Sequence, residues 1–209
     1  MDDIGGYTKH MEQPFEIEKK FSFDKDDLPR ITEGLTYVGE KTLTDVFYDT
    51  SDYSLTREIK YLRNRNGVFE LKIPQDDDLA ESDRKVDNYE EVIDEDEIRA
   101  TLDIVSKTSL EEDLTDSGYI PFATITTTRK KYKSDDIGLD LDEMDFGYRI
   151  GEIEVLVANQ SEMDSAVETI MAFASERGIV IHPVRGKVFE YIAQYLPELF
   201  SELQKEGVM

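Results

Sequence analysis

From residue 15 to residue 157 the chain repeatedly alternates apolar and polar side chains, the period-two signature of β-strands with two unlike faces. The first run, residues 15–23, puts Phe15, Ile17, Lys19 and Phe21 on one face and Glu16, Glu18 and Lys20 on the other. Asp24 to Asp27, followed by Leu28, Pro29 and Ile31, predicts a short helix with proline in its first turn. Residues 42–48 predict a second strand, Asp49-Thr50-Ser51-Asp52 a turn, and residues 53–56 a lead into the next hairpin. That hairpin pairs residues 59–65 with 68–73 across Asn66-Gly67, the strongest short hairpin signal a sequence offers. An acidic loop is expected at 76–82, and further strands at 85–93, 122–133, 138–142 and 148–157.

The periodicity changes to that of a helix in four places. Ile98, Thr101, Leu102 and Val105 predict a helix over 94–105, and Leu110, Leu114 and Tyr119 a further helical piece. Ser161 and Asp164 have capping-box spacing ahead of the stripe Ala166, Val167, Ile170, Met171 and Ala174, which Gly178 ends. A last helix enters at Lys187, carries Val188, Phe189, Ile192, Tyr195, Leu196, Leu199 and Leu203, and is kinked or split at Pro197. Residues 1–13 are expected to be a flexible lead-in, and 14–209 a single domain that includes the C-terminal helices.

Charge narrows the range of partners. The chain has 48 acidic and 24 basic residues, a net charge of −24. Such a surface repels nucleic acid and anionic membrane, yet it leaves room for a small polyphosphate. The acid runs read as solvated loops and helix starts, whereas the arginines and lysines stand singly within strands. Cysteine is absent, which excludes disulfides and thiolate chemistry, and two histidines, His10 and His182, make a zinc site unexpected. There is no signal-peptide pattern at the start and no apolar run near the roughly 20 residues needed to span a bilayer. The expectation is a cytoplasmic monomer acting on a small molecule.

The candidate chemistry lies on the polar strand faces. Glu16, Glu18 and Lys20 point the same way; carboxylates are hard ligands for Mg²⁺ or Mn²⁺, and an ammonium beside them can meet a phosphate oxygen. Tyr61, Arg63 and Arg65 share a face, Glu70 and Lys72 alternate with apolar residues, and Arg129 lies beside Thr127 and Lys131. Asp140 with Asp142, and Glu152 with Glu154, form two more acidic pairs. These faces either meet solvent or converge inside a closed antiparallel barrel. In a barrel, opposite charges and a ligand must compensate one another.

The ordered set Glu16-x-Glu18-x-Lys20, Arg63-x-Arg65, Glu70-x-Lys72, Arg129, Asp140-x-Asp142, Glu152-x-Glu154 and Lys187 resembles the CYTH superfamily, the triphosphate tunnel metalloenzymes. The resemblance spans residues 14 to 200. Within the superfamily the chain is most similar to animal thiamine triphosphatases, through Phe47-Tyr48-Asp49-Thr50 and Asp145-Phe146-Gly147-Tyr148. The implied fold is α+β, an eight-stranded antiparallel closed β-barrel flanked by helices. The implied activity is metal-dependent hydrolysis of thiamine triphosphate to the diphosphate and phosphate. Inorganic tripolyphosphate hydrolysis, class IV adenylyl cyclisation and non-catalytic polyphosphate binding are the alternatives.

By the same resemblance Lys20, Arg63, Arg65, Lys72, Arg129, Lys187 and Tyr61 bind substrate. Glu16, Glu18, Asp140, Glu152 and Glu154 hold Mg²⁺ or Mn²⁺, with Asp142 assisting, and Lys20 and Glu154 act in catalysis. Two positions depart from the thiamine triphosphatase pattern. Tyr61 stands where those enzymes place tryptophan, a residue this chain lacks, and Phe47 replaces the first tyrosine of Tyr-Tyr-Asp-Thr.

Overall fold

A computed structural model describes residues 15–74 and 89–208. Along them run β1 (Phe15–Phe21), α1 (Leu28–Ile31), β2 (Thr36–Asp49), α2 (Ser54–Arg57), β3 (Tyr61–Arg65), β4 (Val68–Pro74) and β5 (Tyr89–Val92). There follow α3 (Glu95–Thr101), α4 (Leu110–Asp116), β6 (Ile120–Lys133), β7 (Gly138–Met144), β8 (Arg149–Val157), α5 (Met163–Glu176), α6 (Lys187–Tyr195) and α7 (Pro197–Lys205). The expected lead-in 1–13, the acidic loop 76–82 and the first part of the 85–93 strand lie outside the described residues. Among the described residues no helix is long and apolar enough to cross a membrane.

The eight strands form one antiparallel sheet in the order β1-β8-β7-β6-β2-β3-β4-β5, and all of them contribute to the lining of one concavity. The expected closed barrel is corrected to a half-barrel, because among the described residues β1 and β5 end the sheet without pairing with each other. The reason lies in the two edges. Both carry ionisable side chains, Glu90 and Glu91 on β5 and Glu18, Lys19 and Lys20 on β1, and charge along an edge strand disfavours further pairing.

Several local expectations are also corrected. β2 begins at Thr36, six residues early, and a register shift between Tyr37 and Gly39 interrupts the alternation there. The lead into the hairpin is the helical turn α2, which buried Asp49 caps by accepting from the Leu55 and Thr56 amides at 3.0 and 2.8 Å and from the Thr56 hydroxyl at 2.7 Å. β3 therefore starts at Tyr61, after Ile59 with φ of 56°. Asn66 and Gly67 have φ of 51° and 94°, as a type I′ turn requires. α3 ends at Thr101, because Asp103 takes a left-handed φ of 55°, and Val105 is exposed instead of joining the apolar stripe. Ser161 lies in a 3-10 turn whose Glu162 precedes α5, so the capping box does not form. At Pro197 the last helix splits into α6 and α7.

Alternation assigns the two sheet faces. On the convex face Ile17, Leu139, Leu141 and Ile153 pack beneath Ala166, Ile170 and Phe173 of α5. Beside them Leu62, Leu71 and Val92 pack against Ile98, Leu110 and Leu114 of α3 and α4. The Phe21 ring lies directly over Gly151, its cross-strand partner. The concave face is divided along its strands. At one end Phe47, Ile125, Met144 and Ile150 meet Val188, Phe189 and Ile192 of α6. Two residues further along the same strands stand Asp45, Asp142 and Glu152, where the charged part begins.

Candidate functional site

The charged part is a cavity of about 430 Å³. Lys20, Tyr61, Arg63, Arg65, Lys72, Arg129 and Lys187 all line it, as do Glu18, Asp142, Glu152 and Glu154. Asp140 is fully buried behind the lining, and the Glu16 side chain lies outside the described set. The structure adds residues that the sequence reading did not single out for the site: Asp45, Tyr89, Glu91 and Lys131.

Strand register explains the convergence. Arg63 is directly opposite Glu70, Tyr61 opposite Lys72, and Lys72 opposite Glu91. Arg129 is opposite Asp142, Asp140 opposite Glu152, and Lys20 opposite Glu152. Arg129 donates to Asp142 at 2.7 and 2.6 Å and to Glu152 at 2.8 Å, and its third nitrogen lies 2.6 Å from Asp140. Lys131 bridges Asp140 at 2.9 Å and Glu154 at 3.9 Å. Lys20 lies 3.0 Å from Glu18. Arg63 donates to Glu70 at 2.7 Å and lies 3.3 Å from Glu91.

Asp45 is the hub of the opposite wall. It is fully buried, accepts two hydrogen bonds from Arg65 at 2.6 and 3.0 Å, pairs with Lys187, and lies 3.8 Å from Arg63. The available signal was a single carboxylate between Leu43 and Phe47 on a strand face otherwise apolar there. It escaped notice because it has no charged neighbour at i±2, unlike each of the acidic pairs.

These contacts set the charge states. Burial opposes ionisation of Asp45, but Arg65, Lys187 and Arg63 outweigh it and hold the carboxyl well below its usual range. Burial likewise opposes ionisation of Glu152, and Arg129, Lys20, Lys72 and Lys187 overcome it, bringing the group down to about 2. For Asp142 burial prevails and pushes the carboxyl up, against Arg129. Arg129 stays charged, since Asp142, Glu152 and Asp140 outweigh its own burial. Lys187 is brought down to about 8 by burial, with Asp45 resisting and Arg63 and Arg65 assisting the fall.

Tyr61 and Tyr89 stand 5.9 Å apart between ring centroids, and Lys72 lies 5.9 Å from the Tyr89 ring. The cavity thus combines a charged trough with the rings of Tyr61 and Tyr89 in its wall.

The CYTH domain family model matches residues 14–180. Thiamine-triphosphatase of Homo sapiens is 28% identical over 206 residues, covering 90% of this chain and 88% of that protein; the Macaca fascicularis enzyme matches to the same extent. Among solved structures, PH1819 of Pyrococcus horikoshii OT3 has a TM-score of 0.60 at 21% identity, covering 88% of this chain and 99% of that one. The Hippeastrum protein HpAC1, described as having a dominant triphosphatase activity, has a TM-score of 0.57 at 18% identity, covering 87% of this chain and 95% of its own. The structural likenesses bear on the fold, and the family match spans most of the sequence. The chain belongs to the CYTH domain family.

Proposed function

We propose that the chain hydrolyses thiamine triphosphate to thiamine diphosphate and phosphate with Mg²⁺ or Mn²⁺. The observation that carries this reading is the convergence of cationic side chains from β1, β3, β4, β6 and α6 on a single cavity. Seven cationic side chains and five carboxylates line it, in a chain of net charge −24. So dense a set of cationic donors gives a small polyanion the partners that the acidic outer surface lacks. Guanidinium groups of Arg63, Arg65 and Arg129 suit bidentate grip on phosphate, and Lys20, Lys72 and Lys187 act as point charges. Tyr61 and Tyr89 offer ring faces to an aromatic group, and the thiamine-triphosphatases of two primates support thiamine as that group.

The carboxylates fit a hard divalent cation. Asp140 faces Glu152 and Glu18 faces Glu154 across adjacent strands, like charges that destabilise a sheet unless compensated. One oxygen of buried Asp140 accepts no hydrogen bond. As the side chains stand, no three acidic or histidine groups among the described residues gather closely enough to enclose a metal. They are spread instead over Arg129, Lys131 and Lys20. A polyphosphate that engaged Lys20, Arg129 and Lys131 would leave Glu18, Asp140, Glu152 and Glu154 as the residues to hold the metal. Glu16 completes the proposed ligand set.

In the reaction Arg63, Arg65, Lys72 and Lys187 fix the polyphosphate, while Lys20 and Arg129 stabilise charge on the terminal phosphoryl and bridging oxygens. Phosphoryl transfer through a loose transition state asks little more of the protein than position and field. A divalent metal held there would supply further charge neutralisation. The test is product release by the full chain on thiamine triphosphate, tripolyphosphate and ATP, with Mg²⁺ or Mn²⁺ and after exhaustive chelation. Chelator-sensitive phosphate release, fastest on thiamine triphosphate, is expected. Turnover that survives chelation, or pyrophosphate from ATP as the main product, overturns the reading.

A further inference from the structure

Asp45 does not line the cavity, yet it touches the cations that do. It engages Arg65 through Nε and Nη2, and Lys187 through the ammonium, from the side away from the ligand space. Both side chains line the cavity, and the third Arg65 nitrogen, Nη1, lies 3.9 Å from Glu70. We propose that Asp45 is a positioning residue, the fixed counter-ion that holds Arg65 and Lys187 in the geometry and charge state a polyanion needs. This rests on the triphosphate reading of the same cavity.

Electrostatics show why one buried carboxylate is needed there. Lys187 enters from α6 and faces Arg63 and Arg65 of β3, Asp142 of β7, Glu152 of β8 and Asp45 of β2, with the Phe47 ring 6.0 Å away. Burial and the two arginines favour losing its proton, and Asp45 is the carboxylate in direct contact that resists. A substrate phosphate supplies anionic charge only after it has bound. Asp45 keeps the ammonium charged before that encounter. Being fully buried, it is also shielded from exchange with the solvent and the ligand.

The experiment compares wild type, Asp45→Asn and Asp45→Glu, all as the full chain. The Lys187 midpoint is read by NMR titration of labelled lysine, assigned by the signal lost in Lys187→Arg, alongside tripolyphosphate turnover across pH. In Asp45→Asn the Lys187 midpoint and the alkaline limb of kcat/KM should both fall by about one pH unit or more, with KM raised. Asp45→Glu should restore the midpoint while keeping a raised KM, because the longer stem displaces the Arg65 fork. A folded Asp45→Asn with an unchanged midpoint overturns the proposal. If that variant does not fold, Asp45→Glu decides alone, and a wild-type KM in it overturns the proposal. Absence of triphosphate turnover in the wild type refutes the functional reading separately, since the Lys187 midpoint is still measurable.

Discussion

Tyr61 lies between Tyr89 and Phe189, its ring 5.9 Å from the first and 6.1 Å from the second by centroid, with an edge-on approach to the phenylalanine. A larger ring there adds stacking surface only for a substrate that brings a ring of its own. Tyr61→Trp is expected to raise kcat/KM for thiamine triphosphate relative to tripolyphosphate by roughly 2- to 10-fold; an unchanged ratio in paired assays removes Tyr61 from specificity. Glu152 makes a prediction about acid. Its carboxyl falls from 4.5 to about 2 on folding, so the stability it contributes is present above 4.5 and is lost as pH drops towards 2. Melting temperature should decline more steeply below pH 4.5 in wild type than in Glu152→Gln. Parallel curves would mean that the surrounding cations do not favour the ionised group.

Two glycines in adjacent strands should separate folding from chemistry. A Cβ at Gly151 would overlap the Phe21 ring inside the convex core, whereas one at Gly138 would overlap the Glu154 carboxylate on the concave side. Gly151→Ala should cost about 1–3 kcal/mol in a urea titration, since an overpacked core must shift backbone or ring. Gly138→Ala should unfold near the wild-type midpoint but show a raised metal requirement for turnover. The reverse pattern would reassign the two faces. The strands that hold these glycines were legible in the sequence because alternation is a local signal, and the spacing of Arg63 with Arg65 or Glu152 with Glu154 places both members on one face whatever the fold. Closure was not legible, for it depends on whether β1 and β5 meet, which no local pattern encodes. Nor was α2: its cap is Asp49, and an Asp-Thr-Ser-Asp run reads equally as a plain turn until the buried acceptor is seen to collect the Leu55 and Thr56 amides. Asp45 is the site counterpart, a residue whose importance comes from three partners on other elements.

For the whole molecule the decisive relation is between sheet curvature and charge. The helices α3, α4 and α5 cover the convex face, and α6 covers one end of the concave face, so the charged trough lies beside the helices rather than beneath them. Arg63→Lys keeps a charge beside Glu70 but loses the planar fork. It is therefore expected to lower kcat/KM on triphosphates at least 10-fold while moving the melting temperature by no more than a few degrees. A collapse of stability with normal turnover would make Arg63 a strut of the sheet. Because the apolar contacts that hold the fold lie largely beyond the trough, its lining can change without dismantling the frame. Successive substitutions there would each be screened for what they bind, and seldom for whether the chain still folds. An architecture with that division is suited to divergence, with one scaffold passing from one polyanion to another through intermediates that remain folded.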